Sequence, residues 1–290
     1  MKTWALLLAL ALPLPAQAAA PLKVGVTLHP YYSWAQNLAG ELPIEVRAVL
    51  PGDVDAGSYQ PRPEDIKRLI DLDVLVINGI GHDDFIHDMV KASGNTRVQI
   101  INLNEGVPLI GNRRGGAVNS HTFISFTNAI QQTYTLEKAI ARLRPELAPA
   151  LRKNASAYAQ RLRAIKQKGT AALVNAPETR VVTVHDGYSY LMQELGLEVA
   201  AVVEPAHGLV PSAAELQGLI EVLKKEKLRQ VFGEESFPKP LLKVLEDAAG
   251  AKVHVISHVA TGPYTAEKFE REMEHNLLVI IEALGAKAGP

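Results

Sequence analysis

Apolar residues in this chain gather into short runs, and stretches with helical spacing fill the intervals between them. Val24–Leu28, Val74–Gly81, Val181–Val184 and Val253–Ser257 are apolar, strand-like runs. Strands alternating with helices in this way predict an α/β fold. A histidine follows each of the four runs within a few residues: His29, His82, His185 and His258. The carboxyl ends of strands in an open parallel sheet face the ligand crevice, so imidazoles placed there are positioned to converge. With no cysteine in the chain, a metal ion is the natural target for them.

The pattern occurs twice. Val26–Trp34 can be laid on Val182–Tyr190 with His29 over His185, Tyr32 over Tyr188 and Ser33 over Ser189. Ile44–Leu50 then matches Leu197–Val203, the proline-led helix Pro61–Ile70 matches Pro211–Ile220, and Arg97–Asn102 matches Lys252–Ser257. The chain is therefore expected to form two similar lobes with parallel sheets. Between them, Pro145–Val174 lacks strand character and carries a helical stripe at Leu147, Leu151, Ala155, Tyr158, Leu162, Ile165 and Ala172. At 1.5 Å per residue this segment would run about 45 Å, a long rigid helix able to span both lobes and limit hinge motion. The boundaries read as 1–18 leader, 19–144 N-terminal lobe, 145–176 linker helix and 177–290 C-terminal lobe, with a ligand site in the cleft between the lobes.

Lys2, the apolar run Trp4–Pro15 and Ala16-Gln17-Ala18 have the form of a secretory signal, too short to span a bilayer. That predicts export to the periplasm as a soluble monomer. Without cysteine, stability must come from buried cores rather than disulfides. A formal net charge of −1 argues against a nucleic-acid partner, which would need a basic face. The zinc-protease pattern His-Glu-x-x-His, the Gly-x-Ser-x-Gly elbow and a cysteine nucleophile are all absent from the sequence, so no enzyme is expected.

Two lobes, a bridging helix, Pro51-Gly52, Ser58–Ile66, Asn78-Gly79-Ile80-Gly81 and His185-Asp186-Gly187-Tyr188 together resemble the zinc/manganese class of solute-binding proteins of ABC transporters. The resemblance covers essentially the whole chain after the leader. It implies a divalent cation held between the lobes by four side chains. The family's second ligand falls on His121, in Asn119–Phe123, and its third on His185. At the first ligand position this chain has Gly57 in place of a histidine, and at the fourth it has Ser257-His258 in place of Asp-Pro.

Candidate replacements are His29, related to His185 by the internal repeat, and His258. Four imidazoles from His29, His121, His185 and His258 would make a nitrogen-rich site suited to zinc. Asp55, beside Gly57, could add an oxygen and keeps manganese open as the alternative. His82 precedes Asp83-Asp84 and reads as part of a helix start. Glu234 and Glu235 are candidates for orienting a histidine from behind. His207 reads as a loop residue, and His87, His254 and His275 as structural. The stretch Glu105–Val118 contains no histidine, so metal collection by a histidine-rich loop is not expected. The resemblance implies a periplasmic receptor delivering metal, most naturally zinc, to an ABC permease in the inner membrane. The alternative is a relative with a degenerate site, acting as a metallochaperone or an adhesin-like interaction protein.

Overall fold

A computed structural model describes residues 20–111, 118–204, 209–234 and 236–285. The expected leader at 1–18, and His207 and Glu235, lie outside the described residues. The N-terminal sheet is formed by β1 (Leu22–Val26), β2 (Ile44–Ala48), β3 (Val74–Ile77) and β4 (Gln99–Asn102), parallel and in the order β2-β1-β3-β4. The second sheet repeats this order. Its strands β5 (Arg180–Thr183), β6 (Glu198–Val202), β7 (Gln230–Gly233) and β8 (Lys252–Val255) run parallel as β6-β5-β7-β8.

The helices are α1 (His29–Ala39), α2 (Pro63–Ile66), α3 (Ile86–Ser93), α4 (Phe126–Leu143), α5 (Ala148–Leu173), α6 (Ser189–Glu194), α7 (Ala213–Glu226), α8 (Lys239–Ala249) and α9 (Lys268–Ala283). Local chemistry sets several of their ends. Ser212 and Glu215 form a reciprocal capping box on α7, Ser125 caps α4 by accepting from the Asn128 N–H, and α8 stops at Gly250 in the left-handed region (φ +63°). The proline-led helix differs between the lobes. α2 passes after Ile66 into a 3-10 turn at Lys67–Leu69 because the chain must re-enter the sheet at Val74, whereas α7 has room for several turns.

The connector is the long helix α5, entered through a 3-10 turn at Pro145–Leu147. Leu151, Ala155, Tyr158 and Leu162 on its apolar stripe are fully buried. The lobes do not have separate cores. One apolar cluster runs from β1, β3 and α1 through α4 and α5 to Tyr188, Leu191 and Met192 of the second lobe, and on to Phe269, Met273 and Leu277 of α9. A smaller cluster fills the far side of the second sheet beneath α7 and α8. The last helix thus crosses back to pack on α1 and α5. No helix among the described residues is long and apolar enough to cross a membrane.

Gly169 marks the closest approach of α5 to α9. Helix propensity alone favours alanine there by about 0.8–1.0 kcal/mol. A Cβ at this position, however, would lie 2.6 Å from Leu277 Cγ and 2.8 Å from its Cδ1. Overpacking of that kind costs about 1–3 kcal/mol, so the clash outweighs the propensity gain. Gly169→Ala is expected to lower the melting temperature by about 2–6 °C, read by circular dichroism. An unchanged or raised melting temperature would mean that Leu277 yields without cost.

Candidate metal centre

His121 sits in the loop that enters α4, and a layer of buried amides holds that loop in place. Asn78 donates to the Ser120 carbonyl (2.9 Å), Asn128 to the Thr122 carbonyl (3.1 Å), and the Thr122 hydroxyl to Asn104 Oδ1 (2.6 Å). Asn104 in turn donates to the Asn78 carbonyl (2.8 Å), closing the circuit. Asn119 faces both lobes. Its Oδ1 accepts from the His121 backbone N–H (3.0 Å) and lies 3.0 Å from His121 Nδ1, while its Nδ2 donates across the cleft to the Asp186 carbonyl (2.8 Å). These bonds fix which end of the amide is oxygen, so His121 Nδ1 must carry the proton.

His185 follows β5 and leads into a 3-10 turn at Asp186–Tyr188. Its Nδ1 lies 3.0 Å from Glu204 Oε2, at the end of the neighbouring parallel strand β6. A carboxylate there again places the proton on Nδ1. His121 Nε2 and His185 Nε2 face each other at 3.0 Å, and with both rings neutral two lone pairs point inward. Two like lone pairs at that separation repel unless a cation lies between or beside them. Two nitrogens on one zinc, each about 2.0–2.1 Å from it, stand about 2.8–3.4 Å apart for angles between a right angle and the tetrahedral value.

His258 completes the group. Its ring centroid is 5.0 Å from those of both His121 and His185, and ligand atoms of the three residues lie within 4.8 Å of one another. Asp55 Oδ2 stands 3.3 Å from His258 Nδ1, so the third imidazole also has an oxygen behind it. The preceding residue is pinned to α9: the Ser257 hydroxyl donates to Glu272 (2.5 Å), and Asn276 bonds both its N–H and its carbonyl. Val259, just beyond, has φ +58°, a costly region for a β-branched residue. A backbone forced there re-aims the chain immediately after His258.

All three imidazoles are buried, with His185 and His258 on the wall of a cleft of about 800 Å³ shared with Asp55, Glu204, Glu234 and Glu272. Burial raises the pKa of Glu234, and the nearby His185 opposes that rise. Gly187 makes room for the rings. A Cβ on it would lie 2.7 Å from His185 Cδ2, 2.9 Å from His121 Cδ2 and 2.9 Å from His185 Nε2.

The remaining histidines are distributed differently. His29, the first residue of α1, lies apart from the three-imidazole group: its Nε2 is 2.9 Å from the Gly262 carbonyl and 3.1 Å from that of Gly52, and its ring stacks on Tyr264 at 3.8 Å. Burial, followed by the Lys268 charge, holds its pKa below the usual value, against the pull of its backbone hydrogen bonds. His82 is the residue that the sequence pattern underrated. It is buried with its ring 4.9 Å from that of His121, Nε2 3.5 Å from Asp55 Oδ1 and Nδ1 3.4 Å from the Ser120 hydroxyl. Its place after β3, matching His185 after β5, was the available signal. The helix starts only at Ile86, because the Asp83 carboxylate turns back to accept from the Thr27 hydroxyl and the N–H groups of Asn78 and Gly79.

Gly57 donates its N–H to Asp55 Oδ1 (2.9 Å), holding that carboxylate at the edge of the group. His87 is exposed on α3, His275 on α9 at the cleft wall, and His254 in β8 bonds Gln230 (2.7 Å) and stacks on Phe232.

The family model described as the zinc-uptake complex component A, periplasmic, matches residues 24–283. The chain belongs to that family. Its members are metal-binding solute-binding proteins of ABC transporters. The solute-binding protein FpvC of Pseudomonas aeruginosa, solved in complex with Mn²⁺, is 42% identical over 91% of this chain and 98% of its own, with a TM-score of 0.85; the same protein has been solved with Ni²⁺. A putative metal-binding protein of Treponema pallidum is 26% identical over 93% of this chain and 89% of its own length. The zinc-binding lipoprotein AdcA of Streptococcus pneumoniae is 25% identical over 90% of this chain, which spans only 55% of that protein.

Proposed function

We propose that this protein is a periplasmic receptor that captures a divalent metal ion, zinc in the first instance, and presents it to the permease of an ABC importer. The observation that carries the reading is the pair of Nε2 atoms 3.0 Å apart on rings whose Nδ1 atoms each face an accepting oxygen, of Asn119 and of Glu204. His121, His185 and His258 would bind through Nε2, with Asn119, Glu204 and Asp55 fixing their orientation from behind. His82 is the neighbour able to complete the set, as Asp55 would be if it turned from His258 Nδ1 toward the ion. Three imidazoles suit zinc, and an Asp55 oxygen would admit harder ions. FpvC, with its Mn²⁺ and Ni²⁺ complexes, supports a second reading in which the site accepts several first-row ions.

Protons compete with the ion for the same nitrogens, so affinity must fall as pH drops through about 6.5, where free imidazole takes up its proton. Calorimetric titration is expected to give one zinc per chain at neutral pH and at least roughly tenfold weaker binding at pH 5.5. Parallel titrations with manganese and nickel rank the two readings. Affinity that is flat across this range would argue that histidine does not hold the ion.

A further inference from the structure

His29, Ser33 and Asn37 lie at four-residue intervals on α1, and so share one face of it. All three bond the backbone of the segment that runs from His258 to α9. His29 Nε2 reaches the Gly262 carbonyl (2.9 Å), the Ser33 hydroxyl donates to the Thr265 carbonyl (2.8 Å), and Asn37 donates to the Ala266 carbonyl (2.9 Å). A polar stripe on the first lobe thus grips the second lobe's loop by its main chain.

The His29 end of this grip is the one tied to the metal centre. Its Nε2 also lies 3.1 Å from the Gly52 carbonyl, and Gly52 accepts from the Gly262 N–H at 2.6 Å. Two carbonyls around one ring nitrogen require that nitrogen to be the donor. Gly52 is three residues before Asp55, and Gly262 is four residues after His258. The two strands of chain that meet at His29 are therefore those that bring Asp55 and His258 together at 3.3 Å. Both glycines are needed for the approach. A Cβ on Gly52 would lie 2.7 Å from the Gly262 oxygen, and Gly262 has φ +103°.

We infer that His29 is a positioning residue, a latch whose Nε2–H joins the Gly52 and Gly262 loops across the cleft and so sets how slowly the bound metal leaves. Resting on the receptor function proposed above, it gives the imidazole a role other than ligation. Loss of the donor leaves the half-buried Gly262 carbonyl short of its His29 partner, leaves the Gly52 carbonyl only the Gly262 N–H, and frees the loop that carries His258. The stack on Tyr264, by contrast, needs only a flat ring.

His29→Phe keeps the ring and removes the donor, whereas His29→Gln keeps an N–H at about the Nε2 position. With zinc bound and a chelator in excess, stopped-flow release is expected to be at least about tenfold faster in the Phe variant and within about threefold of wild type in the Gln variant, both still binding one zinc. Amide exchange across residues 259–266 of the metal-free protein provides a second arm that needs no ion. Exchange there should accelerate in the Phe variant and stay near wild type in the Gln variant. Release and exchange at wild-type rates in the Phe variant, or Gln behaving as Phe does, overturns the latch. Zinc stoichiometry lost in both variants while exchange is unchanged would make His29 a ligand and also overturn it. A wild-type protein that takes up no zinc but shows the exchange pattern would remove the receptor reading and leave the cross-lobe latch standing.

Discussion

His185→Ala is expected to lower zinc affinity by several hundredfold while the protein remains folded. The magnitude follows from dividing the roughly 10–16 kcal/mol of a structural zinc site among three or four ligands, which gives about 3–4 kcal/mol each, or two to three decades in Kd. Removing this imidazole takes away one of the two Nε2 atoms that stand 3.0 Å apart, and also strands Glu204, whose Oε2 is held 3.0 Å from His185 Nδ1. Glu204 then faces the cleft as an extra carboxylate. Part of the lost affinity can return for ions that favour oxygen, so the selectivity of the variant should shift from zinc toward manganese. Calorimetry with both metals, alongside thermal melting of the metal-free protein, gives the answer. Wild-type zinc affinity in His185→Ala would remove the interlobe centre altogether.

The same substitution should leave the fold almost untouched, because His185 lies on the cleft wall, outside the apolar core. That core is where the sequence was most legible. Valine- and isoleucine-rich runs bounded by glycine and polar residues gave the central strands β1, β3 and β5, whereas the run at Val253 proved to be the edge strand β8 and the central β7 was not among them; the matched offsets of His29 with His185 anticipated two sheets of identical strand order. The stripe on Pro145–Val174 gave the connector, since helical spacing is a local property. The destination of α9 was not local in that sense. Its apolar face is visible in the pattern, but that this face lies on α1 of the opposite lobe and on the connector α5 depends on packing between segments far apart in sequence, more than 200 residues in the case of α1.

Ring positions in the centre divide along the same line. His121 and His185 could be placed by motif, and their Nε2 atoms meet. His82 was obscured by Asp83-Asp84, which imitates a helix start until Asp83 is seen to serve the β3 turn. His29 was drawn toward the metal by its repeat partner. The repeat fixes where a backbone goes, and it is silent on whether a side chain turns into the cleft or sideways onto a neighbouring loop. Glu204 and Asp55 bond imidazoles from separate segments, and only the adjacency of β5 and β6 ends in a parallel sheet could have suggested the first of these.

Gly187→Ala should weaken zinc binding by tens- to roughly a hundredfold, the equivalent of about 2–3 kcal/mol of overpacking. Gly187 is not among the glycines of positive φ, so an alanine there meets no backbone strain and the effect isolates the added methyl. That methyl would stand 2.9 Å from His185 Nε2 and 2.9 Å from His121 Cδ2, well inside ordinary contact. Neither ring can retreat cheaply. His121 is held through Nδ1 by Asn119, which is itself bonded across the cleft, and His185 is held through Nδ1 by Glu204. The variant therefore has to break an orienting bond or hold its donors apart, and both lower affinity without deleting a donor atom. Gly218→Ala, in α7 where a Cβ meets nothing within 4 Å, is the control and should bind as wild type does. If calorimetry finds Gly187→Ala equal to that control, the rings are looser than their hydrogen bonds require, and the convergence of His121 on His185 is not what holds the ion.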